Sequence, residues 1–272
     1  MSLLQSTSRL IKLSGFRPKS LVRNLRRFPG YLAAYRALRR QAEASRQPFE
    51  FGSLFPILDE GNKPAGSANG HYFHQDLFVA GKVFAAQPQR HIDVGSRVDG
   101  FVAHVASFRE VEAIDVRPLV STTPNIQFLC ADLMAELPPQ LVGATDSLSC
   151  LHAIEHFGLG RYGDPLDFDG HIKGLRNLHR MLRTGGKLYL STPIGRQQRI
   201  EFNAHRVFSI PYLLTLLAER FQIDSFAYVG DDGQLRRDVD VHAGEARETF
   251  GLTYGCGIFE LTALPVAERR AA

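Results

Sequence analysis

Tryptophan is absent from this 272-residue chain, and cysteine occurs only three times, as Cys130, Cys150 and Cys256. The cysteines have no CxxC spacing and no neighbouring histidine cluster, which argues against a disulfide framework or a cysteine-based zinc motif. All three lie in apolar, strand-like runs, so we predict buried, reduced thiols. Apolar runs of the roughly 18 residues that a membrane span needs are also lacking, as is the apolar core of a signal peptide. These absences predict a cytoplasmic protein.

Acidic side chains are missing from the N-terminal part of the chain, where the first is Glu43. Ten basic residues precede it: Arg9, Lys12, Arg17, Lys19, Arg23, Arg26, Arg27, Arg36, Arg39 and Arg40. Such a basic arm, interleaved with leucines, suits a helical extension that packs on the domain or on a partner subunit. It also suits peripheral contact with an anionic membrane, such as a bacterial inner membrane. Nucleic acid is the least favoured of these partners.

Proline and glycine divide the chain into three parts. Residues 1–46 are predicted to be a basic helical extension of two short helices, which separate near Phe28-Pro29-Gly30. Residues 47–70 are rich in Pro and Gly and are predicted to be an irregular connector. Residues 71–272 form the main domain, in which helical periodicity at 75–84 precedes strands and helices that alternate as far as Pro193. That alternation predicts a parallel sheet with both faces covered, and the last two strands are expected at 222–229 and 251–264.

Three apolar runs of this domain end in an acid. Asp93 ends the first and is followed by Gly95, Asp115 ends the second about 20 residues farther on, and Asp132 follows the third. In open α/β sheets ligands bind at the carboxyl ends of the strands. There a glycine lets the backbone approach the ligand, and a carboxylate can accept hydrogen bonds from both hydroxyls of a ribose. A strand-end acid can also simply cap the next helix. The order and spacing favour a nucleoside site.

This layout resembles the class I S-adenosylmethionine (SAM) methyltransferases over roughly residues 70 to 265. The run 146–156 matches the fourth strand of that family, and 181–193 matches its Gly-Gly turn and fifth strand. The resemblance implies a Rossmann-like, doubly wound sheet that is mostly parallel with an antiparallel last strand. It implies SAM as the cofactor, bound by Asp93, Gly95, Ser96, Asp115, Val116, Asp132, Leu133 and His152. The family usually has a second glycine where this chain has Arg97, which could crowd the cofactor or pair with its carboxylate.

A longer string is more restrictive. Residues 155–164, EHFGLGRYGD, together with Asn203-Ala204-His205-Arg206 and Tyr72-Phe73-His74-Gln75-Asp76, resemble a little-characterised bacterial methyltransferase-like family associated with polysaccharide biosynthesis. That resemblance implies a sugar or glycan acceptor and places the three segments together above the sheet. The residues expected to bind the acceptor are Glu155, Arg161, Tyr162, Asn203, Arg206 and Tyr72.

Methyl transfer to a sugar hydroxyl requires loss of the hydroxyl proton, which a neutral imidazole can accept near pH 7. The candidate bases are His156 and His205, with Asp164 able to orient a histidine or hold a second hydroxyl. Transfer without a protein base is the alternative. Asp164, Asp167 and Asp169 resemble solvated turns more than a metal site, and a lone i,i+3 pair such as His71 and His74 is weak metal evidence. No metal is therefore expected.

Two other functions stay open at this stage. A non-catalytic, methyltransferase-like scaffold in a glycan assembly complex is favoured by the missing second glycine and opposed by the three strand-end acids. A nicotinamide-dependent oxidoreductase is disfavoured, because the chain has neither Gly-x-Gly-x-x-Gly nor a Tyr-x-x-x-Lys motif.

Overall fold

A computed structural model describes residues 18–58, 60, 64–120 and 122–265. The chain divides into two compact units, Met1–Ser67 and Ala68–Ala272. Among the described residues, no helix is sufficiently long and apolar to cross a membrane.

In the described part of the first unit, α1 (Pro18–Glu43) is a continuous helix that runs through Pro29. The predicted break into two helices near Phe28-Pro29-Gly30 is therefore wrong. Proline removes one hydrogen bond and disfavours the turn before it, but the remaining turns of a 26-residue helix still hold the chain helical. The residues after α1 fold back along it, where Phe51 packs edge-on to Tyr35 with ring centroids 5.5 Å apart. The first 17 residues of the basic arm lie outside the described residues.

The second unit is built on an eight-stranded sheet with the order β3-β2-β1-β4-β5-β10-β8-β9. The strands are β1 (His91–Val94), β2 (Val111–Asp115), β3 (Ile126–Cys130), β4 (Thr145–Leu151), β5 (Leu182–Ile194), β8 (Phe221–Val229), β9 (Leu235–Arg236) and β10 (Gly255–Ala263), while β6 (Arg199–Glu201) and β7 (His205–Val207) form a separate hairpin. The helices are α2 (His71–Ala86), α3 (Ala103–Ala106), α4 (Gly170–Met181) and α5 (Ile210–Ala218).

The first five strands of this sheet are parallel, whereas β10 is antiparallel to both β5 and β8. The predicted fold class, a mostly parallel Rossmann-like sheet with an antiparallel last strand, is confirmed. Because β10 runs the opposite way, its first residues lie at the same edge as the carboxyl ends of the parallel strands. This edge carries the candidate site.

Helices cover both faces of the sheet, so its central strands are apolar on both sides. On one face Leu175 and Leu178 of α4 pack in the larger core cluster, and on the other Val79 and Val83 of α2 pack in the second. The edge strand β3 is different, because it has a neighbour on one side only and three of its five residues are exposed. Cys130 lies there and is exposed, so its predicted burial is wrong, whereas Cys150 and Cys256 are buried free thiols as predicted.

Candidate active site

A cleft of about 490 Å³ opens at the carboxyl ends of β1, β2 and β3. Five of the residues predicted to bind a cofactor line it together, namely Gly95, Asp115, Val116, Asp132 and Leu133. Three of the predicted acceptor-side residues, His156, Tyr162 and Asp164, also line it. The fold therefore brings two of the three strand-end acids, Asp115 and Asp132, into one cavity, although they lie on different strands.

The turn after β1 depends on Gly95. Its φ is +73°, and a Cβ atom added to it would lie 2.7 Å from the Cβ of Ala153. Its N–H donates to the carbonyl of Ile114 at the end of β2. Both the left-handed backbone and the close approach to the loop after β4 require glycine here.

The sequence predicted that Asp93 would bind the cofactor, but Asp93 does not face the cleft. It is buried, and its carboxylate accepts from the backbone N–H of Ser96 at 3.1 Å, from the Ser96 hydroxyl at 2.7 Å and from the Ser149 hydroxyl at 2.6 Å. Burial raises the pKa of Asp93 to about 6, against the effect of these hydrogen bonds. Asp93 and Ser96 therefore shape the turn from beneath rather than line the cavity, because their polar groups satisfy each other.

Arg97, at the position of the missing glycine, turns away from the cleft. Its guanidinium makes two hydrogen bonds with Asp99, of 3.0 and 2.7 Å, and its side chain is mostly exposed. Arg97 is not among the residues that line the cavity. Crowding of the cavity by this side chain, one of the two outcomes considered from the sequence, is not seen.

Arg117 is a cleft residue that the sequence analysis did not single out. Its guanidinium makes two hydrogen bonds with the Asp115 carboxylate, of 2.9 and 2.7 Å, and its backbone N–H adds a third of 2.8 Å. It also lies over the ring of Tyr162, 4.2 Å from the centroid. Both oxygens of the strand-end acid are thus engaged by one flexible, half-exposed side chain. A basic residue two positions after that acid was the available signal.

His152 and Glu155 form a buried pair beside the cleft, not within its lining. His152 Nδ1 lies 2.7 Å from Glu155 Oε1. Burial disfavours charge on both groups. Their mutual attraction nevertheless lowers the pKa of Glu155. The pKa of His152 is raised by the neighbouring Cys256 and by Glu155. Glu155 is only 1% exposed, so it orients His152 rather than contacting an acceptor, and His152 faces Tyr72 and His71 rather than the strand-end acids.

His156 keeps an imidazole nitrogen that could act as a base. Its Nδ1 lies 2.7 Å from the carbonyl oxygen of Ala204, and because a carbonyl only accepts, Nδ1 carries the proton and Nε2 keeps its lone pair. Burial lowers the pKa of His156, so the ring is neutral near pH 7. His205 lies edge-on, with ring centroids 6.4 Å apart, and burial lowers its pKa as well.

Two residues expected to contact the acceptor are occupied inside the protein. Asp164 accepts backbone N–H groups from Gly158, Gly160 and Tyr162, at 3.0 to 3.2 Å, so it fixes its own loop and has no histidine partner. Arg206 is 4% exposed and donates to four backbone carbonyls, of which the shortest contact is 2.6 Å, to Phe157. A buried guanidinium surrounded by carbonyls cannot also bind an anionic sugar.

The remaining predicted acceptor residues are accessible. Arg161 and Tyr72 are exposed or half-exposed, Asn203 is exposed in the turn between β6 and β7, and Tyr162 is flanked by Arg161 and Arg117. The Tyr162 ring meets His156 edge-on at 5.5 Å. This acceptor side is rich in rings that can pack against a bound molecule.

Comparison with known proteins finds a family model described as "Caenorhabditis protein of unknown function, DUF268", which matches residues 134–250. No curated protein matches the chain. Similar solved structures include the N-methyltransferase NodS of Bradyrhizobium japonicum WM9 with S-adenosyl-L-homocysteine, at 12% identity, a TM-score of 0.48, and coverage of 72% of this chain and 89% of NodS.

Two further structures show the range of the likeness. The 1,6-didemethyltoxoflavin-N1-methyltransferase of Burkholderia thailandensis is 16% identical, covers 92% of each chain and has a TM-score of 0.46. The [4+2]-cyclase SpnF is also 16% identical, covers 65% of this chain and 76% of its own, and has a TM-score of 0.43. Identities and TM-scores this low assign no activity.

Proposed function

We propose that this chain is a SAM-dependent methyltransferase. The observation that carries the proposal is the single cleft into which Gly95, Asp115 and Asp132 converge from three strand ends. A glycine turn for close backbone approach, an acid for the ribose hydroxyls and an acid beside an adenine edge are what the nucleoside part of SAM requires. The outward turn of Arg97 leaves the space above this turn open.

We further propose an oxygen nucleophile, the hydroxyl of a sugar or glycan intermediate in bacterial surface polysaccharide biosynthesis. Supporting this are the neutral His156, whose Nε2 can accept a proton, and the resemblance carried by residues 155–164. When SAM is bound, it supplies an electrophilic methyl group. His156 would then take the hydroxyl proton, with His205 as the second candidate, while Tyr162, Tyr72 and Arg161 hold the acceptor. The reaction would take place in the cytoplasm, with the basic arm as a peripheral contact to the inner membrane.

A second candidate, a non-catalytic scaffold in a glycan assembly complex, is favoured by one observation. Arg117 occupies both oxygens of Asp115, the acid on which cofactor recognition depends. A chain that kept this ion pair permanently closed would keep the fold without binding SAM.

Calorimetric titration with SAM distinguishes the two functions. Asp115→Ala should weaken binding by about 1.5–3 kcal/mol, the scale of hydrogen bonds to a charged group, and Gly95→Val should be more severe. Glu110→Ala is the matched control, because Glu110 is an exposed acid outside the cleft. Absence of SAM binding by the folded wild-type chain would reject the methyltransferase. If SAM binds, mass spectrometry of candidate glycans incubated with it identifies the acceptor.

A further inference from the structure

Three side chains at the carboxyl edge of the sheet point their ligand atoms at one small volume. His71 begins α2, His152 follows β4, and Cys256 is the second residue of β10. One nitrogen of each histidine and the Sγ of Cys256 all lie within 4.8 Å of one another. These residues are far apart in sequence, so they do not form a metal-binding motif that the sequence alone would indicate.

This group is only partly satisfied within the described structure. His152 Nε2 is buried and has no hydrogen-bond partner. The Cys256 thiol lies 3.7 Å from Gln75 Oε1 and 3.8 Å from the Gly257 carbonyl oxygen, and it interacts electrostatically with His152. Buried polar atoms without partners are uncommon in folded proteins and frequently mark an ion or a functional site. An ion coordinated by both groups would remove this deficit.

The outer contacts of both histidines match those of metal ligands. The second nitrogen of a metal-bound histidine is almost always held by a carboxylate, a backbone carbonyl or water. Here Glu155 holds Nδ1 of His152 at 2.7 Å, and the His71 ring is hydrogen-bonded to the backbone of Tyr254. Each ring is therefore oriented with its other nitrogen toward the shared volume.

The ring positions also suit a tetrahedral ion. The centroids of His71 and His152 are 5.2 Å apart, and two imidazoles bound to one zinc at 2.0–2.1 Å with a tetrahedral angle would have centroids roughly 5 Å apart. The two rings are stacked, with their planes 7° apart, so one ring would rotate to bring both in-plane lone pairs onto the same ion. Such an ion keeps its nitrogen and sulfur ligands roughly 3.5 Å from one another. The present spread of up to 4.8 Å would close with side-chain shifts on the order of 1 Å.

We infer that His71, His152 and Cys256 bind a transition-metal ion, with zinc as the best match to two imidazoles and one thiolate. Thiolate and imidazole ligands select such ions over magnesium or calcium. Three protein ligands and one open position are the pattern of catalytic rather than structural zinc sites. The open position would take water, or an oxygen or sulfur atom of an acceptor. Only the binding of an acceptor atom rests on the proposed methyl transfer.

The test uses the full chain, freed of any histidine tag and purified without chelators. Zinc content is measured by plasma mass spectrometry, and zinc affinity by competition with a chromogenic chelator. We expect one tightly bound zinc per chain, and cobalt in its place should give tetrahedral visible bands and a thiolate charge-transfer band. Cys256→Ser should lose the charge-transfer band. Cys150→Ala, which removes the other buried thiol, should retain it.

Two more variants keep the test decisive if Cys256→Ser does not fold. His71→Ala, at the first residue of α2 and only partly buried, should weaken zinc by more than 100-fold, and Glu155→Gln by roughly 10–100-fold, as for other outer-sphere partners. A folded wild-type chain that binds no zinc or cobalt overturns the inference, as does equal affinity in His71→Ala. SAM titration of the same samples is a separate measurement, so failure of the metal site and failure of the proposed function are distinguishable.

Discussion

Removing the Arg117 guanidinium should strengthen SAM binding. In the structure this group makes two hydrogen bonds with Asp115 and lies on the Tyr162 ring. The Asp115 oxygens cannot hold both the guanidinium and the ribose hydroxyls in the same geometry, so SAM must displace Arg117. Arg117→Met removes the charge and the donors while keeping an apolar stem of similar length against Tyr162.

The size of this effect follows from exposure. The Arg117 side chain is 50% exposed, and ion pairs at exposed sites contribute about 0–1 kcal/mol. The contact with Tyr162 adds about 0.5–1 kcal/mol at most, as for cation–π pairs in water. Displacement therefore costs on the order of 1 kcal/mol, and its removal should tighten SAM binding by about 5-fold, since 1.4 kcal/mol corresponds to tenfold.

Calorimetry of four chains checks this reasoning: wild type, Arg117→Met, Asp115→Ala and the double variant. Once Asp115 is replaced, the Arg117 substitution should have little further effect, because the ion pair is already lost. Arg161→Met is the matched control, since Arg161 also lies over the Tyr162 ring, 5.1 Å from its centroid, and has no contact with Asp115 among its described hydrogen bonds. Weaker SAM binding by Arg117→Met would refute the displacement and make Arg117 a ligand contact.

Three other expectations follow. His156→Ala should lower turnover by about 10²–10⁴-fold with little change in SAM affinity. Because the pKa of His156 is lowered, the wild-type rate should stay at its plateau below about pH 6.5. A larger loss of turnover in His205→Ala would show that His205 is the base. Deleting residues 1–41 should abolish sedimentation with anionic vesicles and leave SAM affinity intact, and salt should weaken adsorption of the wild-type chain. Equal sedimentation of the full-length and truncated chains would mean that the basic arm only packs on the domain or on a partner subunit. Burial lowers the pKa of His91 to about 3, below its unfolded value. The stability that neutral His91 contributes is therefore present above about pH 6.5 and falls as the pH drops toward about 3. In urea unfolding, the free energy of unfolding of His91→Gln should depend less on pH in this range than that of the wild type.

The fold could be predicted because its determinants are local and repeated. Strand runs that end in Asp93, Asp115 and near Asp132, with helical periodicity between them, specify parallel strands whose carboxyl ends share one edge. The structure has that order and the antiparallel last strand. Pro29 misled the prediction, since proline lowers helix propensity locally while the rest of α1 maintains the helix.

The roles of individual side chains were harder to predict, because role depends on burial and burial depends on long-range packing. Arg206 and Asp164 read as polar residues of a binding loop, yet their polar atoms face backbone groups of the same loop system. Glu155 reads as an acceptor contact and is 1% exposed. Nothing in a run of sequence letters separates a charge that meets a ligand from a charge that meets carbonyls.

The two halves of the candidate site therefore differ in how they are built. The cleft side is made of strand ends and a glycine turn, which sequence periodicity specifies. Its partly buried acid, Asp115, is covered by one side chain that can swing away. The predicted acceptor side is assembled from α2, β4, β7 and β10, and buried contacts fix it: Glu155 on His152, Ala204 on His156, and Arg206 beneath the loop. Pre-organised groups of this kind favour a reaction because they need not reorganise when charge develops. His156 is consequently held in one geometry before any ligand arrives, and Arg117 is the group that SAM is predicted to displace.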